Sequence, residues 1–167
     1  PVYEVAASPR LASAAAPHHF LAVTKDGRAA IANTAGNSDC HIILRGGKAP
    51  NFDADSINAA CDVLHQSGLM PSVMIDASHA NSAKKPENQS LVMADVGAQI
   101  AAGDERIVGV MIESNLVAGR QDLLPGQALT YGQSITDGCI DWDTSVAVLE
   151  ELATAVTRRR RAAAAAG

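Results

Sequence analysis

The fold of this chain is decided by one stretch, Val73-Met74-Ile75-Asp76-Ala77-Ser78-His79-Ala80-Asn81-Ser82. Its apolar and β-branched residues give way abruptly to polar ones, which is typical of a buried strand that ends at the edge of a site. The pattern occurs twice more, where Ile42-Ile43-Leu44 runs into Arg45 and where residues 107–112 run into Glu113. These runs predict three strands that each end in a candidate functional residue: Arg45, His79 and Glu113.

Predicted helices separate the strands. Asp53 or Asp55 is a suitable N-cap for a helix that ends at Ser67, where Gly68 follows as a stop signal. Alternating strands and helices indicate parallel strands joined by right-handed crossovers, and therefore an α/β fold. The predicted strands cover residues 40–45, 72–76 and 107–112, and two further predicted helices cover residues 87–102 and 143–160.

The remaining segments are less regular. Residues 2–16 are rich in alanine and predict a helix. Residues 20–24 and 29–32 predict a β-hairpin, because an Asp26-Gly27 pair lies between them. Residues 113–140 are predicted to form a long loop.

Composition limits the partners of this protein. The chain has 167 residues, of which 47% are hydrophobic but only 3% aromatic, so short aliphatic side chains must fill the core. Its net charge of −5 provides no basic surface for nucleic acid. The basic run Arg158-Arg159-Arg160-Arg161 is better explained as a solvated helix end than as a polyanion contact. We therefore expect no nucleic-acid partner.

The cysteines and the hydropathy pattern bear on localisation. Cys40, Cys61 and Cys139 are an odd number at wide spacing, which argues against a disulfide framework and for a reducing compartment. No apolar run approaches the about 18 residues that a membrane span needs, and no signal-peptide pattern is present. We expect a cytoplasmic protein without a membrane partner.

The polar residues after the strands predict one site. The carboxyl ends of parallel strands meet at one edge of a sheet, so Arg45, His79 and Glu113 should lie together, with Asp137 brought back over the same edge. His79, Glu113 and Asp137 offer nitrogen and oxygen ligands for a divalent metal, for which manganese or iron is as suitable as zinc. The planar guanidinium of Arg45 suits a phosphate or carboxylate.

Simpler explanations stay open for each of these residues. A His after a strand is more often a structural residue than a ligand, and Glu113 and Asp137 are equally typical of solvated loop carboxylates. The segment Arg45-Gly46-Gly47 lacks the full spacing of a P-loop. Residue types and spacing alone therefore select no single reaction.

Five blocks of sequence follow one another along nearly the whole chain: HFLAVTK (19–25), GNSDCHIILRGGK (36–48), MIDASHANS (74–82), GVMIES (109–114) and YGQSITD (131–137). In this order they resemble the carboxyl-terminal half of class I 3-deoxy-D-arabino-heptulosonate 7-phosphate (DAHP) synthase. The resemblance implies a (β/α)₈ barrel, of which residues 1–167 would form a single partial barrel domain with an inserted β-hairpin.

The resemblance also implies an activity. The family is a transferase, 3-deoxy-7-phosphoheptulonate synthase, which condenses phosphoenolpyruvate with erythrose 4-phosphate at the first step of the shikimate pathway to aromatic amino acids. The sister synthase that uses arabinose 5-phosphate fits the five blocks less well.

Residue roles follow motif by motif from this resemblance. His79, Glu113 and Asp137 would be metal ligands, with manganese or iron favoured and cobalt or zinc as alternatives. Arg45 and His79 would be catalytic, with Arg45 on the phosphate of phosphoenolpyruvate. Arg45, Lys48 and Asp137 would contact substrate.

Other parts of the family's site have no counterpart here, namely a cysteine ligand on the first barrel strand and a Lys-Pro-Arg-Thr loop for erythrose 4-phosphate. Asn115 stands where the family often has His, which leaves the ligand Glu113 intact. Phe20 and Ala22 would lie at the site of an aromatic amino acid effector.

We expect the chain alone to be inactive and poorly folded as a monomer, and the full-length protein to be a homo-oligomer. The alternative is a non-catalytic metal- or phosphate-binding remnant of the barrel.

Overall fold

The computed structural model describes residues 15–166, so the helix predicted at residues 2–16 lies outside the described residues except at its last two positions. The described chain divides into two compact units. One contains residues up to 42 together with residues 58–72, and the other contains residues 43–57 and those from 73 onward. In chain order the elements are β1 (His18–Val23), β2 (Ala29–Thr34), β3 (Ile42–Leu44), α1 (Ala54–Gln66), β4 (Val73–Asp76), a 3₁₀ turn (Pro86–Asn88), α2 (Gln89–Ala101), β5 (Ile107–Met111), β6 (Val117–Arg120), β7 (Gln133–Ser134) and α3 (Trp142–Ala166).

The predicted β-hairpin is confirmed in the first unit. Strands β1 and β2 pair antiparallel, with Phe20 opposite Ala32 and Ala22 opposite Ala30. Gly27 closes the turn at a φ of 75°, a conformation that glycine adopts without strain, and its N–H donates to the carbonyl of Thr24 over 2.9 Å.

Helix α1 has the ends that its sequence predicts. The Asp53 carboxylate accepts hydrogen bonds from the backbone N–H and the hydroxyl of Ser56, at 2.9 and 2.7 Å. Partial burial alone would raise the pKa of Asp53, but the hydrogen bonds from Ser56 lower it below its ordinary value. At the other end Gly68 has a φ of 70°, and the N–H of Leu69 donates to the carbonyl of Leu64 over 3.0 Å, as in a Schellman cap.

A three-stranded sheet in the order β3-β4-β5 holds the centre of the second unit. Strands β4 and β5 are parallel, with Ile75 opposite Val110 and Asp76 opposite Met111, which confirms the predicted α/β class. The observed strands are shorter than the predicted ones. The N–H of Ala77 donates to Met111 in the last ladder bond, after which the backbone turns away toward the polar loop.

Helices α2 and α3 pack against each other in the same unit. Their buried faces contain Val92, Met93, Val96, Val148 and Leu152. The helix predicted at residues 87–102 begins as a 3₁₀ turn at Pro86–Asn88, and Pro86 suits a first turn because an N–H there would have no helical partner.

The predicted end of α3 is corrected by the structure. Alanines of high helix propensity continue the helix past residue 160 to Ala166. The arginine run therefore lies within the helix rather than at its end. Arg159 is half-buried and donates to the carbonyl of Asp104 over 2.7 Å, while its three neighbours in the run are exposed.

The long loop predicted over residues 113–140 contains two short strands that the sequence did not predict. Strands β6 and β7 pair within it, and glutamine side chains satisfy the backbone around them. Gln121 donates to the carbonyl of Thr130 over 2.8 Å, and Gln133 donates to that of Ala118 over 2.8 Å. The sequence shows no alternating apolar pattern here because side-chain amides, rather than a buried face, stabilise these strands.

Within residues 15–166, no helix is long and apolar enough to span a membrane. Cys40 and Cys139 are free thiols, as the wide spacing of the cysteines predicts.

Candidate active site

The second unit contains a cavity of about 440 Å³ at the carboxyl ends of β3, β4 and β5. Its charged and polar lining comes from the segments that follow these strands and from the segment after β7. The lining side chains with chemical function are Arg45, Ser78, His79, Lys84, Glu113 and Asp137. The structure thus brings together the four residues that the sequence selected for one site.

Asn81 and Asn51 join the ends of β3 and β4. The buried Asn81 amide donates to the carbonyls of Leu44 and Asp76, at 3.0 and 2.8 Å. Its oxygen accepts from the N–H of Asn51, whose own side chain accepts from the N–H of Gly46 over 2.7 Å. Since these groups are buried, breaking the network would leave them unpaired. The network holds the residue that follows Leu44, which is Arg45, beside the polar segment after β4.

Gly46 is required by this packing rather than by a phosphate loop. A Cβ at this position would lie 2.7 Å from the Cβ of Ala80 and 2.9 Å from the N of Asn81. The φ of Gly46 is 75°, which also disfavours other residues. Gly46 therefore allows two segments to approach closely.

His79 lies between two carboxylates. Its Nδ1 is 2.8 Å from an oxygen of Asp76, whose side chain is only 2% exposed, and its Nε2 is 3.8 Å from Oε1 of Glu113. Nδ1 is buried, and within residues 15–166 it makes no well-aligned hydrogen bond although the Asp76 oxygen is close. The short contact with Asp76 orients the imidazole ring. It leaves Nε2 as the ring atom directed toward Glu113 and the cavity.

The backbone of the polar segment after β4 is strained. His79, Ala83 and Lys84 all have positive φ values, of 53°, 55° and 60°. Such conformations cost about 1–3 kcal/mol each in residues other than glycine, and they cluster at functional sites. Here they place both His79 and Lys84 on the cavity wall.

Glu113 is held at its side chain and at its backbone. The hydroxyl of Ser78 donates to Oε2 of Glu113 over 2.7 Å. Gln89, which is fully buried, donates to the carbonyl of Glu113 over 3.0 Å and accepts from its N–H over 2.8 Å. The N–H of Ile140 also donates to the Glu113 carbonyl over 3.0 Å. This hydrogen bond places the segment that contains Asp137 next to the end of β5.

The donor set fits a divalent metal in part. An imidazole nitrogen and a carboxylate oxygen 3.8 Å apart are suitable first ligands for manganese, iron or zinc. Asp137 lines the same cavity. However, no cluster of three His, Cys, Asp or Glu side chains close enough to hold a metal exists within residues 15–166. His79 and Glu113 therefore fit a divalent metal as a pair of ligands. Asp137 lines the same cavity but is not close enough to complete a three-ligand cluster.

Cys139 does not supply a thiolate to the cavity. Burial raises the pKa of this thiol above its ordinary value, and the carboxylates of Glu113 and Asp137 raise it further. Both effects disfavour the thiolate form of Cys139.

Three other predicted residues, Lys48, Phe20 and Ala22, do not line the cavity. Lys48 is exposed and is not among the lining residues. Phe20 and Ala22 are on β1 in the first unit, where Phe20 is exposed and Ala22 is half-buried.

The sequence model of the DAHP synthetase I family matches residues 5–150. The chain belongs to this family. A phospho-2-dehydro-3-deoxyheptonate aldolase of Haemophilus influenzae is 54% identical over 153 residues, which are 91% of this chain and 42% of that protein. The Phe-sensitive phospho-2-dehydro-3-deoxyheptonate aldolase of Escherichia coli (strain K12) is 55% identical over 148 residues, which are 89% of this chain and 42% of that protein.

A solved member of the same DAHP synthetase family shares the fold. It is the phospho-2-dehydro-3-deoxyheptonate aldolase of Francisella tularensis SCHU S4, with a TM-score of 0.85 and 47% identity over 94% of this chain and 46% of that one. The chain thus spans less than half the length of the family members that it matches.

Sequence reasoning missed two residues that line or support the cavity. Lys84 was not among the candidate site residues, although a basic residue in the polar segment after a site-bearing strand is itself a signal. Gln89 occupies the position of an apolar residue on the buried face of α2, at helical spacing from Val92, Met93 and Val96. A lone amide on an apolar stripe indicates a buried hydrogen-bonding role, so the sequence did contain this signal.

Proposed function

We propose that this chain provides the metal- and phosphate-binding end of a 3-deoxy-7-phosphoheptulonate synthase. The observation that carries the proposal is the convergence of Arg45, His79, Glu113 and Asp137 on one cavity in a chain of the DAHP synthetase I family. The reaction joins C3 of phosphoenolpyruvate to the aldehyde carbon of erythrose 4-phosphate. Water adds at C2 of phosphoenolpyruvate, and inorganic phosphate leaves.

His79 and Glu113 would hold a divalent cation, with Asp137 as a further ligand and manganese or iron favoured over cobalt or zinc. Such an ion supplies Lewis-acid polarisation of a carbonyl oxygen. The chain's own residues would bind and orient the other reactant. Arg45 is exposed on the cavity wall and makes no hydrogen bond or ion pair within residues 15–166, so its guanidinium can contact the phosphate of phosphoenolpyruvate.

Lys84 would provide a second positive charge for this phosphate, because it lines the same cavity. The roles of Lys48 and Asp137 in substrate contact stay predictions. Catalytic roles for Arg45 and His79 also belong to this proposal, with positioning and charge stabilisation as the physical basis.

For the fold, we propose that residues 1–167 form a single partial (β/α)₈ barrel with the hairpin inserted in it. The parallel pairing of β4 with β5 and the helices that follow β3 and β4 support this proposal. The likeness to the Francisella protein, at a TM-score of 0.85, supports it as well.

We propose an aromatic amino acid effector at the hairpin around Phe20 and Ala22. The name of the Escherichia coli relative records sensitivity to phenylalanine, which supports an effector of this class.

A cytoplasmic location is supported by the free thiols of Cys40 and Cys139. A homo-oligomeric state of the whole protein stays a prediction.

A second candidate is a non-catalytic metal- or phosphate-binding remnant of the barrel. The observation that favours it is that His79 and Glu113 lie 3.8 Å apart and that Arg45 and Lys84 line the same cavity, which is sufficient to bind a metal or a phosphate without turnover. The two candidates differ in what happens when the rest of a barrel is supplied.

The test is a phosphate-release assay with phosphoenolpyruvate, manganese and either erythrose 4-phosphate or arabinose 5-phosphate. It is run on this chain alone and on this chain with the part of the Escherichia coli relative that it does not match. We expect no activity alone, and a compact complex that releases phosphate with erythrose 4-phosphate. A compact complex that binds manganese but releases no phosphate would support the remnant. A monomeric, fully active 167-residue chain would refute the partial-barrel proposal.

A further inference from the structure

Ser78 and His79 face different oxygens of Glu113. The hydroxyl of Ser78 donates to Oε2, and the other oxygen, Oε1, is the one that lies 3.8 Å from Nε2 of His79. Ser78 is itself buried, and its N–H donates to Asp76 over 2.8 Å, so its backbone position is tied to the end of β4. The orientation of the Glu113 carboxylate therefore follows from the position of Ser78.

Gln89 fixes the backbone of Glu113 in a complementary way. A side-chain amide offers one acceptor oxygen and an NH₂ donor, and these match the N–H and the carbonyl of a single peptide residue. Since Gln89 is fully buried on α2, a shift of Glu113 would leave polar groups of both residues unpaired in the interior.

We propose that Ser78 and Gln89 are positioning residues for Glu113, which present its Oε1 to a divalent cation bound with Nε2 of His79. The inference rests on the proposed function of the cavity. Neither residue touches the cation in this arrangement, and both act through Glu113. Residues that orient metal ligands in this way change metal affinity by about 10- to 100-fold when they are replaced.

The first test measures the affinity for Mn²⁺ by calorimetry in an enzyme that contains this sequence. Ser78→Ala should weaken binding by about 10- to 100-fold. The matched control is Ser145→Ala, because Ser145 is also buried and donates over 2.6 Å to the carbonyl of Asp141, outside the cavity lining. The control should bind Mn²⁺ as the wild type does. Wild-type affinity in Ser78→Ala would overturn the inference.

Gln89→Glu provides a second variant of nearly the same size. An ionised carboxylate accepts from the N–H of Glu113 but cannot donate to its carbonyl, and it adds a negative charge next to a buried oxygen. We expect a loss of Mn²⁺ affinity of at least about tenfold. Retained affinity in this variant would remove Gln89 from the proposal.

A double-mutant cycle separates positioning from a general loss of structure. In the Glu113→Ala background, Ser78→Ala should weaken Mn²⁺ binding no further, because its effect passes through the missing carboxylate. An equal loss in both backgrounds would overturn the inference. If the wild-type enzyme itself binds no Mn²⁺, the proposed function fails, whereas normal wild-type binding with an unaffected Ser78→Ala variant refutes only the inference.

Discussion

The two sides of the cavity are built differently. On one side, His79 and Glu113 are held by buried partners, and the contacts to Glu113 are hydrogen bonds of 2.7–3.0 Å. On the other side, Arg45 and Lys84 are exposed, and neither side chain makes a hydrogen bond or ion pair within the described chain.

Under the proposed function, this difference would determine how each side of the cavity meets its ligand. A group held by buried hydrogen bonds is preorganised for an ion that demands fixed ligand positions. An exposed cation on a flexible side chain adapts instead to a charged group that the ligand brings. We call the side with His79 and Glu113 the held side, and the side with Arg45 and Lys84 the open side. We expect the held side to govern metal affinity and stability, and the open side to govern the dependence of the rate on substrate.

The largest expected effect concerns the held side. His79→Ala should abolish Mn²⁺ binding, because it removes the imidazole ligand and leaves Glu113 as the only remaining ligand of the pair. Calorimetry on the variant and on His65→Ala, an exposed His at the end of α1, provides the comparison. Equal affinity in the wild type and His79→Ala would show that the ligand assignment is wrong.

Stability should respond strongly to Gln89. In Gln89→Leu the N–H and carbonyl of Glu113 lose their amide partner in a buried position, at a cost of about 1–3 kcal/mol for each unsatisfied group. Because Ile140 still donates to the carbonyl, we expect a total loss of about 2–4 kcal/mol in the free energy of unfolding. Urea denaturation measures this loss.

The matched control for this variant is Gln66→Leu, since Gln66 is exposed at the end of α1. Exposed substitutions of this kind usually change stability by less than about 0.5 kcal/mol. Similar losses in the two variants would mean that the hydrogen bonds to Glu113 do not matter for folding.

Some parts of the molecule could be predicted from the sequence, and others could not. The strand ends at Arg45, His79 and Glu113 were predictable because apolar runs that stop at polar residues follow from burial alone. Strands β6 and β7 were not, because they depend on amide side chains that bond to backbone groups up to 15 residues away. The support of Glu113 by Ser78 also depends on a contact across 35 residues, which no local pattern contains.

The open side of the cavity should show a smaller effect in a different measurement. In an enzyme that contains this sequence, Arg45→Lys should raise the KM for phosphoenolpyruvate by about tenfold, since an ammonium cannot make the second hydrogen bond of a guanidinium and about 1.5 kcal/mol is lost. Steady-state kinetics with each substrate varied in turn measures it. An unchanged dependence on phosphoenolpyruvate together with a damaged dependence on the aldose would assign Arg45 to the other phosphate.

The smallest effect comes from a carboxylate that is held by hydrogen bonds but lies outside the cavity. Asp53 caps helix α1 through Ser56, and its pKa in the folded protein is lower than its ordinary value of 3.8. A depressed pKa contributes stability above the unfolded value, and this contribution is lost as pH falls through 3.8 toward the folded value. Asp53→Ala should therefore cost about 1 kcal/mol at neutral pH and less in acid.

Asp53→Asn separates the cap from the charge. Asparagine caps helices about as well as aspartate does, so this variant should keep most of the stability at neutral pH. It carries no titrating group, so its stability should fall less steeply than that of the wild type as pH decreases below about 4. Other carboxylates titrate in the same range, which is why the difference between the two proteins is the quantity to measure in urea denaturation at a series of pH values. Parallel pH profiles would show that the carboxylate of Asp53 adds no charge-dependent stability. In that case a hydrogen-bonded carboxylate and a solvated one would contribute equally to the pH dependence of stability. The contrast between the two sides of the cavity would then rest on metal affinity.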